Sequence, residues 1–400
     1  MDKGGSPLFS AAQEWNAAAM DKTLADKLAV WRRHLHAHPE LGLHETKTAA
    51  FVCERLKELG IPFTSGVGGH GIVATISRGQ SNRSVGLRGD MDALPITETT
   101  GLPYASTTPG VMHACGHDGH TVMLLGAARL LAQEGGFDGT VRFVFQPAEE
   151  WGQGMLAMMR DGLGTRLPFD EIYGLHNAPG LPVGRFATRT GAFMAAEDNF
   201  VIRVQGAGGH ASRPHECRDA LVAACAIVME LQTIVARNID PSELAVVSVT
   251  ELRSDGTRNA IAGEATIEGD CRNFSPVVSQ AIEAAMRRIA PAVAAAHRCE
   301  ASVDYTRVFI PLINDPAATQ HALAAARSIF GAAEVEADAP RVGGAEDFAQ
   351  ALALAPGNFA FIGNGDTAVC HSPHYDFNDE ALMGGVRYFV ELVRQRLPAR

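Results

Sequence analysis

Residues 113–150 read HACGHDGHTVMLLGAARLLAQEGGFDGTVRFVFQPAEE. A polar cluster opens the stretch and a helix-length apolar run, TVMLLGAARLLAQEG, follows it, closing at Gly135-Gly136. Then comes TVRFVFQ (140–146), which reads as a strand, and a loop carrying Glu149 and Glu150. Helix alternating with strand, with polar residues gathered after the strands, is the pattern of an α/β layer. Open α/β sheets place their sites beyond strand ends. Within the cluster, His113, Cys115 and His117 alternate. In an extended segment such side chains share one face, so a thiolate and one or two imidazoles would converge. Soft sulfur with imidazole suits zinc and several other first-row divalent ions. A histidine-rich surface loop with a small buried cysteine would show the same letters, so one motif is not enough.

Outward from this stretch the alternation continues. Helical spacing runs through Leu24, Leu28 and Trp31 and again through Phe51, Leu56 and Leu59, divided by Pro39 and Gly42. GIVATIS (71–77) and SVGLR (84–88) read as strands, EIYGL runs into His176, and NFAFIGN (358–364) precedes a second histidine group. The middle third differs. Strands at 199–206, 244–251 and 264–272, with helices at 218–236 and 276–297, suggest a small α+β unit with an antiparallel sheet. The expected architecture is α/β: a large domain with a mostly parallel sheet flanked by helices, formed by 1–188 and 305–400, with a smaller α+β domain inserted at 189–304.

The 400 residues are 46% hydrophobic and 20% charged, with a net charge of −11. Two domains are expected from length. The charge argues against nucleic acid or an anionic membrane as partner, and the apolar runs look too interrupted for a membrane span. The N-terminus, MDKGGSPLFSAAQEW, shows no basic region followed by an apolar stretch, so no secretory signal is expected. Seven scattered cysteines form no disulfide framework and point to a reducing cytoplasm.

Several residues carry candidate chemistry. Adjacent carboxylates Glu149 and Glu150 can divide labour, one binding metal and the other moving a proton, although such pairs are usually solvated. His176 ends a strand, as a ligand would; a satisfied polar histidine would look the same. His371 and His374 follow the 358–364 strand. Asp90 and Asp92 can orient ligating histidines or cap a turn. His210 lies in a glycine-rich segment of the small unit, with Asn259 and Arg272 as candidates for holding a carboxylate or developing oxyanion. Phosphate-loop, GxSxG, CxxC and HExxH patterns are absent.

Taken together, WRRHLHAHPELGLHETKTAAFV (31–52), RGDMDALPI (88–96), MHACGHDGH (112–120), FQPAEE (145–150), GLHN (174–177), GGHASRPH (208–215), GGAEDFA (343–349) and HSPHYDFNDE (371–380) resemble the M20 metallopeptidases over nearly the whole chain. The resemblance is to the amidohydrolase branch of hippurate hydrolases, N-acyl-amino-acid amidohydrolases and auxin-conjugate hydrolases. It implies two divalent ions per subunit, manganese or zinc first and cobalt or nickel also suitable. The implied ligands are Cys115, His117, Glu150, His176 and His371, with Cys115 shared between the ions. His371 is preferred to His374 because the branch's ligand lies two before the proline. Glu149 would be the general acid/base. His210 would stabilise the oxyanion, in related dimers from the partner subunit, and the inserted domain would be a lid and dimerisation domain. His113 and His120 would be supporting or structural. The chain departs from the branch at Ala345, at Ala260-Ile261-Ala262-Gly263 and at Asp255-Gly256, which bears on substrate rather than metal.

The resulting expectation is a cytoplasmic homodimeric amidohydrolase for N-acyl amino acids or aryl amides, in which hydroxide held by the metals attacks the carbonyl. The same site could instead remove an amine from an aromatic ring, cleave a carbamoyl group or split a dipeptide. A non-catalytic metal-binding protein would have no need of Glu149.

Overall fold

The computed structural model describes residues 11–399 and divides into two compact units. The residues 1–10 read above for a leader lie outside the described residues. One unit comprises the chain up to Thr190, Asn314–Ala339 and Gln350 onward; the other comprises Gly191–Ile313 and Pro340–Ala349.

Among the described residues, the first unit holds an eight-stranded sheet. Its strand order is Phe63–Val67, Gly71–Arg78, Gly139–Gln146, Ser84–Asp90, Glu171–Ala178, Gly357–Gly363, Phe186–Ala187 and Val335–Glu336. The four strands from Gly139–Gln146 to Gly357–Gly363 run parallel. The sheet is mostly parallel, as expected, with antiparallel pairings added on either side of the parallel centre. Phe63–Val67 and Gly71–Arg78 join antiparallel at one side, and Phe186–Ala187 pairs antiparallel with Gly357–Gly363. The reason is connection length: Phe63–Val67 and Gly71–Arg78 are joined by a short turn, which permits only an antiparallel pair.

The helix from the opening stretch spans His117–Glu134, four residues earlier than its apolar run suggests. Gly116 precedes it at φ +94, where a side chain would be strained. It is apolar around most of its circumference because it is covered on both sides. It packs against the sheet and against the helices Ala11–Ala37 and Leu382–Arg396. At Gly126 a Cβ would stand 2.6 Å from Val386 Cγ2 and 3.1 Å from Leu28 Cδ1, so glycine sets how near those helices come.

The second unit is strand–helix–strand–strand–helix–strand, with sheet order Ala245–Ser254, Glu264–Asn273, Ala196–Gln205, Glu300–Phe309, all antiparallel. Alternate residues Phe200, Ile202 and Val204 face two helices, Ala220–Thr233 and Pro276–Ala296, in a separate core. The anticipated end at 304 cuts the Glu300–Phe309 strand in two. That strand pairs along its length with Ala196–Gln205, so the unit runs on to Ile313. One further reading needs correction. Ala220–Asn238 is long and apolar enough to cross a membrane by length and composition. Its Ala223, Ala224, Ile227 and Leu231 instead pack in the unit's core.

A buried ionic network fastens the Ala11–Ala37 helix to the start of the His117 helix. Arg32, fully enclosed, lies 3.5 Å from Asp118, 3.0 Å from Asp376 and 2.8 Å from Asp379. His36 donates through Nδ1 to Asp118 at 2.8 Å, and its Nε2 faces Glu98 at 3.5 Å. Burial alone would depress the imidazole, but Asp118 and Glu98 outweigh it and push His36 up to about 9. The folded value lies above the unfolded value of ~6.5. The stabilisation is therefore complete below that value and lost as pH rises through about 9. Over that window it amounts to on the order of 3 kcal/mol. The stability advantage of wild type over His36→Gln, measured by denaturant unfolding of chelator-treated protein, should be largest at pH 6 and shrink toward pH 9. An advantage independent of pH would show that His36 is not held as the cation.

Candidate metal centre

The parallel strands deliver the centre from their C-terminal ends. Ser84–Asp90 ends in Asp90, with Asp92 just beyond it; Gly139–Gln146 leads to Glu149 and Glu150; Glu171–Ala178 carries His176; Gly357–Gly363 leads to His371. His176 lies within its strand, near the end, rather than after it.

Behind the centre is a chain of satisfied charges. Arg88 donates to Asp90 Oδ2 at 2.7 Å and to Gln146 Oε1 at 2.7 Å. Burial opposes ionisation of Asp90, but Arg88, His117 and His120 together hold it well below the carboxylate range. Asp90 Oδ1 accepts from His120 Nδ1 at 2.6 Å, and His120 Nε2 accepts from the Asn177 N–H at 3.0 Å. Both His120 nitrogens are thereby committed, so His120 is a support and not a ligand.

Asp92 divides its carboxylate. Oδ1 takes His117 Nδ1 at 3.1 Å, and Oδ2 accepts the Glu150 N–H at 3.0 Å. His117 Nε2 therefore points forward. It is buried with no hydrogen-bond partner among the described residues, as is Glu150 Oε1 at 3.9 Å from it. Glu150 Oε1 also faces His371 Nε2 at 3.4 Å. His176 donates through Nδ1 to the Asn177 carbonyl at 2.7 Å, leaving Nε2 3.4 Å from Cys115 Sγ. Burial and then His120 keep His176 neutral, the form that ligates.

Two overlapping groups result, Cys115–His117–His176 and Cys115–Glu150–His371. Without a cation the Cys115 thiol is pushed well above its ordinary value by its hydrogen bond with Cys370, by burial and by Glu150. A divalent ion reverses that balance. Orphaned, buried lone pairs converging on a thiol are the arrangement such an ion satisfies, so the residues fit. Glu149 is buried beside them, with a carboxylate oxygen within 4.8 Å of the His117 and Glu150 donor atoms.

Other expected residues are placed differently. His113 is buried with neither ring nitrogen hydrogen-bonded among the described residues, and burial lowers it to about 4. It thus orients none of the five donors. His374 is turned to Thr99, its Nδ1 3.0 Å from the hydroxyl. In the inserted unit His210 and Asn259 are neighbours: His210 pairs with Ala260, and the Ala211 N–H donates to the Asn259 carbonyl at 3.0 Å. Arg272 does not join them. It lies eight residues beyond Glu264 on its strand, roughly 26 Å at ~3.3 Å per residue. Its guanidinium is held by Glu197 at 2.8 Å and Asp270 at 3.0 Å. Sequence reasoning missed Arg88, Asn177, Tyr375 and Cys370 as supports. Asn177 donates to the Cys115 carbonyl at 2.8 Å and accepts from the Tyr375 hydroxyl, and Cys370 Sγ lies 4.0 Å from the same carbonyl. Arg88, Asn177 and Tyr375 stand inside the family-like motifs RGDMDALPI, GLHN and HSPHYDFNDE, which was the available signal.

Residues 86–395 match the model of peptidase family M20/M25/M40. Over 394 residues the chain is 37% identical to an N-acetyl-L-cysteine deacetylase of Bacillus subtilis (strain 168), covering 98% of the chain and 93% of that protein. Over 366 residues it is 36% identical to a hippurate hydrolase of Campylobacter jejuni, covering 92% and 95%. A solved structure from Bacillus subtilis, described as a dinuclear metal binding peptidase from the M20 family, superimposes with a TM-score of 0.83 at 34% identity, covering 94% of this chain and 99% of that one. With its cluster of buried donors at the ends of the parallel strands, the chain belongs to peptidase family M20/M25/M40 and is a metal-dependent hydrolase of amide bonds.

Proposed function

We propose that this enzyme releases the acyl group from N-acylated amino acids, with two divalent ions held by Cys115, His117, Glu150, His176 and His371. The observation that carries this reading is the pair of donor groups overlapping at Cys115, with Glu149 beside them. The named relatives act on N-acetylcysteine and hippurate, both N-acyl amino acids, and the dinuclear relative supports the ion count. A thiolate with imidazoles and a carboxylate suits manganese or zinc, and cobalt or nickel as well. Such ions, when bound, polarise a carbonyl and make water more acidic.

The chain's own groups do the rest. The Glu149 carboxylate takes a proton from the attacking water and returns it to the leaving amine nitrogen. His120 and Asp90 fix the strand ends, and Asp92 aims His117. His210 is proposed to stabilise the carbonyl oxygen as it gains charge. Its Nδ1 accepts from the Ser212 N–H at 3.1 Å, which leaves Nε2 as the ring's donor. All seven cysteines are unpaired, in keeping with a reducing cytoplasm.

Glu149→Gln should keep its metal and lose turnover by at least ~10²–10⁴-fold on an N-acetyl or N-benzoyl amino acid panel. Glu150→Ala should lose metal, read by elemental analysis. Chelator-treated wild type should be inactive until manganese, zinc or cobalt returns. Normal turnover by fully loaded Glu149→Gln would remove the base assignment, and a panel cleaved only at carbamoyl or dipeptide bonds would remove the substrate class.

The same reading makes a second copy of this chain the partner. The Ala245–Ser254 strand is an edge of the inserted sheet, with Val246 and Leu252 exposed. The neighbouring helix exposes Val222 at 51% and Met229 at 71%. An unprotected edge beside apolar surface calls for cover, and two-fold pairing is the commonest way to supply it. Val222→Asp with Met229→Asp should convert a dimer to a monomer in analytical ultracentrifugation. If His210 serves the partner's site, mixing inactive His210→Ala and Glu149→Gln subunits should restore activity, because one site per hybrid is intact. Confirmed hybrids without activity would place His210 in its own subunit's site, and a fully active wild-type monomer would end the dimer reading.

A further inference from the structure

Glu45 stands at the N-terminal end of the Thr46–Glu58 helix, where an acidic side chain ordinarily turns back to the free N–H groups. Glu40 does that instead: its Oε2 accepts from Lys47 N at 2.7 Å, Thr48 N at 2.8 Å and Thr48 Oγ1 at 3.1 Å. Glu45 turns inward, is fully buried, and accepts the Ala148 N–H through Oε1 at 2.7 Å; Oε2 has no hydrogen-bond partner among the described residues. Burying a carboxyl group with one oxygen left without a hydrogen-bond partner is unfavourable unless the N–H held by the other matters.

Ala148 immediately precedes Glu149 and has φ +49, a conformation that L residues adopt rarely and keep only when held. The turn closes through Gly152 N to Glu149 O at 2.8 Å and Gly154 N to Ala148 O at 3.1 Å. A Cβ at Gly42 would overlap the Trp151 ring, and one at Gly154 would overlap the Pro147 carbonyl. On the far side of Glu149, Asp92 holds the Glu150 N–H. The backbone amides flanking Glu149 are thus each gripped by a carboxylate from a different segment.

We propose that Glu45 is a positioning residue for the Glu149–Glu150 pair, clamping the left-handed turn at Ala148 that sends one glutamate to the reacting water and the other to the metal. The proposal rests on those two roles. Its test uses full-length Glu45→Leu, Glu45→Gln and Glu45→Leu with Ala148→Gly, read by kcat, KM and metal affinity in chelator competition. Glu45→Leu should lower kcat about 10- to 100-fold, the scale of a roughly 1 Å misplacement, with KM nearly unchanged and metal affinity reduced. Glu45→Gln should restore most of both, since its amide oxygen accepts the same N–H. Adding Ala148→Gly to Glu45→Leu should recover part of both, because glycine holds φ > 0 without a Cβ penalty. Wild-type kcat and metal affinity in Glu45→Leu would overturn the clamp. So would equal damage in Glu45→Gln, or no recovery on adding Ala148→Gly. Metal affinity needs no substrate, so it decides on Glu45 even if wild type fails to cleave N-acyl amino acids, a result that would sink the functional reading alone.

Discussion

The two oxygens of Asp92 join the histidine that opens one helix to the glutamate that closes a different strand's loop. Oδ1 fixes His117 and Oδ2 fixes the backbone of Glu150. Without that bridge the two side chains would be set independently, by the ends of two different elements. With it, the forward-facing nitrogen and oxygen are set relative to each other before any cation arrives. Metal affinity gains from such preparation because less freedom is lost on binding.

Placing this much charge indoors is unfavourable unless every group finds a partner. The protein meets the requirement in series: Arg88 to Asp90, Asp90 to His120, His120 to the Asn177 amide, and Asn177 to the Cys115 carbonyl. A second series, Arg32 and His36 on Asp118, ties the long first helix to the same helix start. The atoms left over, His117 Nε2 and Glu150 Oε1, are the ones a cation would use. What sets these two atoms apart from other unpartnered buried atoms is that they face each other at 3.9 Å beside the Cys115 thiol.

The inserted unit follows different rules. Its core is its own, drawn from alternate strand residues and two helices. Its helix Ala220–Thr233 is apolar on the inner face and on much of the outer one. That double character is why its composition alone satisfies the criteria for a membrane span.

The sequence by itself determined the α/β class, the insertion, most strand and helix positions, and the residues that gather at the metal centre. Those features are written in local periodicity and in motifs whose members lie a few residues apart, where the backbone alone dictates which side chains share a face. Only the tertiary structure decided that antiparallel strands flank the parallel ones in the large sheet, that Arg272 is tied to Glu197 and Asp270, and that His113 hydrogen-bonds to none of the donors. It alone showed that Glu45 reaches Ala148 across 103 positions of chain. Those facts depend on which strands become neighbours. Spacing along the chain carries no record of that, because the hydrogen bonds involved join segments brought together only when the sheet closes.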